Sequence, residues 1–252
     1  MKLKLTLEYD GTGFRGWARQ PGLRTVETAV REALDAVFPR WDALAVAGRT
    51  DTGVHATGQV VSLDVEGGPP FERAADALNA ALPEDVAVVA SEEAPDEFHA
   101  RFSARSRSYR YRIRLGRRSP LEARRALQWS RPIDVSDLRA SAAVVVGEHD
   151  FRAFTPTDTQ HDVFLRHVLA AGWEANGDRL EFTITADSFL RNMVRALVGT
   201  MLEAPDRIAG LLDGSPAGQL VSSLFPVREK LLDQIVPDRV PLRLPAGIVW
   251  QQ

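Results

Sequence analysis

The sequence predicts an α+β protein: two ferredoxin-like halves, residues 1–104 and 105–252, forming a mainly antiparallel sheet with helices on one face. Three observations carry that expectation. Short alternating segments and longer segments of helical spacing follow one another as strand, helix, strand, strand, helix, strand. Much of that order recurs in the second half. Turn residues punctuate the chain, and Asn176-Gly177-Asp178 is a strong hairpin signal.

Taken in order, residues 2–10 alternate, with Leu3, Leu5 and Leu7 on one face. Val26, Ala29, Val30, Ala33, Leu34, Val37 and Phe38 recur at helical spacing behind Thr25, a plausible N-cap. Residues 44–47 and 59–65 read as strands with a polar, glycine-containing loop between them. A helix over 70–81 is stopped by Pro83, and a strand over 86–90 closes the unit. In the second half residues 107–115 alternate strictly: Tyr109, Tyr111, Ile113 and Leu115 face one side, Arg110, Arg112 and Arg114 the other. A helix over 135–146 follows, then two strands about the hairpin turn. The second of these, 180–186, puts Leu180, Phe182 and Ile184 on one face, and a helix over 188–202 comes next. The stretch 214–245 is proline-rich and yields no secure assignment.

Composition narrows the chemistry. There is no cysteine, which excludes disulfides, thiolate metal sites and a thiol nucleophile. The five histidines show no metal-ligand spacing, so no metal is expected. No run approaches the roughly 18 apolar residues of a membrane span, and Met1-Lys2-Leu3-Lys4 leads into a strand rather than a signal segment. The expected compartment is the cytoplasm. The net charge of −3 hides an asymmetry: between residues 101 and 131 stand eleven arginines and one acid, Glu122. That stretch carries +10 and the remainder −13. Clustered arginine is the footprint of a phosphate-backbone partner, and equally the pattern of a solvated charged surface.

The chemistry-bearing segment is Ala47-Gly48-Arg49-Thr50-Asp51-Thr52-Gly53-Val54-His55-Ala56, where two glycines allow a tight turn that presents side chains. Standing alone, an Arg two residues before an Asp reads as a surface ion pair. Gly11-Thr12-Gly13-Phe14-Arg15-Gly16 has GxGxxG spacing, but Trp17 and Pro21-Gly22 argue against a helix opening there, and a dinucleotide site is rejected.

The loop does not stand alone. Gly48-Arg49-Thr50-Asp51 with Gly53-Val54-His55-Ala56 resembles the signature loop of the TruA family of tRNA pseudouridine synthases. Glu8-Tyr9-Asp10-Gly11-Thr12, with Gly16-Trp17 and Arg19-Gln20, resembles that family's opening strand and loop. The segments 96–104 and 107–111 resemble its middle block and tyrosine-bearing strand, and 188–199 its C-terminal helix. These blocks span most of residues 3–202.

The resemblance implies RRM-like halves around an RNA cleft, and isomerisation of uridine to pseudouridine in the anticodon stem-loop of tRNA (positions 38–40). It implies Asp51 as nucleophile, attacking ribose C1′ or uracil C6, with Arg195 as its cationic partner. Tyr109 would stack on the target base, and Arg49 would help hold the target nucleotide out of its stack. Ile248, in Pro245-Ala246-Gly247-Ile248-Val249-Trp250, would wall the base pocket, although this closing block is one residue short of the family pattern. Arg110, Arg112 and Arg114 would form an RNA-binding stripe. On the expected helix Arg195 shares a face with Arg191. No cofactor is implied, because substrate and product are isomers; a homodimer is implied. Phe98, Phe102, Met193 and Val194 read as packing, Tyr111 as core, and His55 and His99 as structural hydrogen-bonding residues. Thr52 stands where the family usually has alanine, and Glu27 where glutamine is common. A non-catalytic RNA-binding module is the alternative. A hydrolase built on Asp51 and His55 lacks a visible water-activating partner.

Overall fold

Strand β1 (Lys2–Tyr9) buries Leu3, Leu5, Leu7 and Tyr9, each at most 3% exposed, so its alternation is that of a strand covered on one face. Asp10 ends it and caps a short 3-10 turn by accepting from the Thr12 amide at 2.9 Å. Helix α1 (Val26–Val37) starts where Thr25 predicts: the threonine hydroxyl accepts from the Thr28 amide, and Val26, Val30, Ala33 and Leu34 form the buried face. Strands β2 (Arg40–Val46) and β3 (His55–Glu66) follow, then α2 (Phe71–Asn79) and β4 (Val86–Glu93). Side chains of β1, β3, β4, α1 and α2 share one apolar cluster.

The second half contains β5 (Arg107–Leu115), β6 (Leu127–Trp129), α3 (Val135–Val145), β7 (Gly147–Asp150), β8 (Leu165–Asn176) and β9 (Arg179–Ala186). Helices α4 (Met193–Glu203) and α5 (Ile208–Leu211) and strand β10 (Leu232–Ile235) complete it. The expected hairpin turn joins β8 to β9, with Gly177 at φ +59°. A second apolar cluster gathers β5, β8, β9, α3, α4 and α5, and Val54 is the one residue of the first hundred that joins it. The computed structural model describes residues 1–158 and 162–213 and the backbone of Leu232–Ile235. The proline-rich stretch and Ile248 otherwise lie outside the described residues.

Among the described residues ten strands form one sheet in the order β4-β1-β3-β10-β5-β9-β8-β7, with β2 also on β3 and β6 also on β5. Every pairing between these strands is antiparallel except β10 with β3 and β6 with β5, so the described residues form an α+β fold with a mainly antiparallel sheet. Strand β10 is the seam: Asp233 sits opposite His55 on one side and Arg110 on the other. Among the described residues no helix is long and apolar enough to cross a membrane.

Two element boundaries differ from expectation. Strand β2 begins at Arg40 rather than 44, with a register shift between Asp42 and Ala45 and Ala43 at φ +52° disguising its alternation. Helix α4 begins at Met193 rather than 188, because Asn192 is left-handed at φ +61° and breaks any earlier turn. Arg191 therefore precedes the helix and shares no helical face with Arg195.

Candidate active site

Residues 47–54 connect β2 to β3, and hydrogen bonds pin their backbone from several sides. Gln59 Nε2 donates to the Gly48 carbonyl at 2.6 Å and to Tyr9 Oη at 3.3 Å, and Tyr9 Oη lies 2.8 Å from Thr50 Oγ1. The Trp17 amide donates to the Thr50 carbonyl at 2.9 Å, and the Gly53 amide to Phe14 at 3.2 Å. A Cβ on Gly11 would stand 2.0 Å from the Val54 carbonyl oxygen, and one on Gly16 2.8 Å from that of Thr50. The GxGxxG spacing thus serves close backbone approach to this loop. Thr50 is buried, while Asp51 is half-buried and Arg49 exposed.

From the second half, Arg195 Nη2 donates to the Thr52 carbonyl at 3.1 Å, one residue along from Asp51. The bond engages the backbone of Thr52, so the departure from alanine there leaves the contact unaltered. Arg107 grips the Ala47 carbonyl through Nε at 3.0 Å and Nη2 at 2.7 Å, and also reaches the carbonyls of Asp187 and Arg101. Burial pulls its guanidinium below the ordinary arginine range, and the four acceptor contacts offset that desolvation.

A cleft of ≈ 1130 Å³ opens between these segments. Arg49, Asp51, Tyr109 and Arg195, expected from sequence as the site, all line it. Tyr109 is 8% exposed and meets Phe189 edge-on, ring centroids 4.8 Å apart. Burial first, then the charge of Asp51, pushes its hydroxyl well above the usual tyrosine range, so it remains a protonated donor. Among the described residues six arginines (49, 101, 107, 166, 191 and 195) face three carboxylates (Glu27, Asp51 and Asp158) around the cleft, which biases it toward a polyanion. Arg191 is ion-paired to Asp158.

Arg110, Arg112 and Arg114 lie on the strand face opposite Tyr109. Arg110 and Arg112 share Glu181, at 3.0 and 3.4 Å, and Arg114 meets Asp178 at 2.8 Å. Those carboxylates leave the three arginines a net charge of +1.

His55 has the structural role expected of it. Its Nδ1 lies 3.2 Å from the Gly11 amide and 3.1 Å from Asp10 Oδ1, and its Nε2 lies 3.1 Å from the Arg124 carbonyl. His99 Nδ1 accepts from the Arg101 amide. Tyr111 is core, at 1% exposed, and Met193 and Val194 are buried. Phe102 is not packing: it is 76% exposed, because its turn points away from the neighbouring apolar cluster of Ala47, Val60 and Ala100. Ile248 lies outside the described residues.

Sequence reasoning missed Arg107, Arg166 and Phe189 as cleft residues. Arg107 had a signal, since alternation along β5 puts it on the face of Tyr109. Arg166, 9% exposed and donating to the Val163 and Leu165 carbonyls, had none: its strand has no visible starting point in the sequence.

Comparison with known proteins gives the same family. A sequence profile described as tRNA pseudouridine synthase matches residues 6–103 and 142–221. A protein of Bacillus subtilis named tRNA pseudouridine synthase A is 40% identical over 222 residues, covering 84% of this chain and 90% of its own. A Geobacter protein of the same name is 37% identical over 240 residues, covering 92% and 97%. Another, from Cereibacter sphaeroides, is 45% identical over 205 residues, covering 78% and 80%. The chain, with its arginine-lined cleft and buried tyrosine around Asp51, belongs to the tRNA pseudouridine synthase family.

Proposed function

We propose that this protein isomerises uridine to pseudouridine in the anticodon stem-loop of tRNA, with Asp51 as nucleophile. The observation that carries the reading is the convergence of Arg49, Asp51, Tyr109 and Arg195 on one cleft from β3's leading loop, β5 and α4. The Asp51 carboxylate bonds to C1′ or C6, the N1–C1′ bond breaks, and the base turns. A C5–C1′ bond then forms, the ester bond to Asp51 breaks and frees the carboxylate, the C5 proton leaves and N1 gains one. Nothing is oxidised or reduced, so the residues need supply only a nucleophile, a binding face and electrostatic support. Tyr109 offers the stacking face, and Arg195 anchors the loop backbone beside the nucleophile. Arg49, exposed at the cleft, is placed to hold the extruded nucleotide out of its stem. Ile248 is carried in this proposal as a further wall of the base pocket.

The halves 1–104 and 105–252 are read as ferredoxin-like, RRM-like units flanking an RNA cleft. Support comes from the strand orders β4-β1-β3-β2 and β10-β5-β9-β8, each running fourth, first, third, second. The working form is proposed to be a cytoplasmic homodimer bound to tRNA, with Arg110, Arg112 and Arg114 adding to the RNA surface.

The test is tritium release from an unmodified tRNA transcript carrying uridine labelled at C5. The wild type is expected to release label and Asp51→Ala to release none while still binding the transcript. Turnover by Asp51→Ala at the wild-type rate would refute the nucleophile. Silence from both with binding retained would leave a binding module.

A further inference from the structure

Phe102 is the one aromatic side chain among the most exposed large apolar residues of the described chain. Its exposure is built in. The amides of Phe102 and Ser103 both donate to the His99 carbonyl, at 3.0 and 2.8 Å. The His99 amide donates to Ser103 Oγ at 3.1 Å, and the Arg101 amide to His99 Nδ1 at 3.2 Å. Behind the turn Ala100 is 1% exposed, with its amide on Ser62 Oγ, while Arg107 holds the Arg101 carbonyl. A rigid turn therefore keeps an aromatic ring in water, forgoing the stabilisation that burial would give.

What surrounds the ring indicates what would cover it. The His99 ring lies against it, centroids 4.4 Å apart with the planes tilted by 31°. The Arg101 guanidinium stands 5.6 Å from its centroid. His99 and Arg101 both line the cleft that holds Asp51. A flat π-face with a cation beside it, bordering an arginine-rich cleft, matches an unpaired nucleobase and its phosphate.

We propose that Phe102, backed by His99, is a stacking platform for an unpaired base adjacent to the target uridine in the RNA chain. The inference rests on reading the cleft as a pseudouridine synthase site and adds a positioning residue to it. Extruding the target breaks its stacking with its neighbours, and the platform gives one neighbour a new face. Phe102 has no side-chain hydrogen-bonding atom, so the platform senses that a base is present without reading which one.

The test measures kcat and KM for tritium release from an unmodified tRNA transcript, together with transcript Kd, for Phe102→Ala, Phe102→Leu and Phe102→Trp. Phe102→Ala is expected to raise KM and Kd about tenfold with kcat little changed. Phe102→Trp restores both and Phe102→Leu does not, with the thermal midpoint unmoved in all three. Wild-type KM and Kd in Phe102→Ala would overturn the proposal. So would full restoration by Phe102→Leu, which would show apolar packing against a protein surface such as a second copy of the chain. A wild type that binds tRNA without releasing label would defeat the synthase reading instead, and the Kd series would still judge the platform.

Discussion

At the scale of single residues the tyrosines are the most revealing. The chain has three, and Tyr9, Tyr109 and Tyr111 are all buried. Desolvation leads in raising each hydroxyl: that of Tyr9 is pushed up to about 12, and those of Tyr109 and Tyr111 higher still. In the unfolded chain tyrosine ionises near ~10. Above that value the unfolded state binds fewer protons than the folded one, so stability falls as pH rises from there through the folded values. Below about pH 12, tyrosinate absorbance is expected to appear only together with loss of near-ultraviolet circular dichroism. Tyrosinate forming below that pH in protein that is still folded would contradict the burial. The cleft residues Arg49, Asp51, Tyr109 and Arg195 were legible because each sits in a block whose spacing resembles one family. Phe102 was not, since composition favours burying a phenylalanine and only the turn around it decides otherwise.

At the scale of elements, the loop carrying Asp51 depends on glycines in a different element. Gly11 lies in the 3-10 turn after β1, where a methyl group would overlap the Val54 carbonyl. Gly11→Ala is expected to cost about 1–3 kcal/mol in urea unfolding and to lower kcat by displacing the loop. A variant as stable and active as wild type would show that the loop can yield. Helix starts were legible where a cap is local, as at Thr25, whose hydroxyl accepts from the Thr28 amide. The start of α4 was not. Helical spacing continues back to residue 188, but Arg191 is held by Asp158 and by Thr155 Oγ1, which donates to its carbonyl, and Asn192 turns left-handed. Those anchors are more than thirty residues away in sequence and leave no local mark.

At the scale of the whole molecule, the charge asymmetry is partly spent within the fold. Glu181 and Asp178 take up most of the Arg110, Arg112 and Arg114 charge, while the cleft keeps more arginines than carboxylates. Affinity for tRNA is expected to fall steeply with salt through counterion release. Reversing the charge of Arg110, Arg112 and Arg114 together should weaken it further, and unchanged binding would remove that strand from the RNA surface. The two-fold recurrence of strands and helices was legible from periodicity, whereas the seam was not: β10 lies inside the proline-rich stretch, where four residues give too little alternation to read. That seam sets an order in time. Translation delivers β3 and β5 long before β10, so a nascent chain carries two unfinished strand edges where the seam will form. The ladder between them is sealed only after residues 232–235 have been made, well after the loop, strand and helix that carry Asp51, Tyr109 and Arg195.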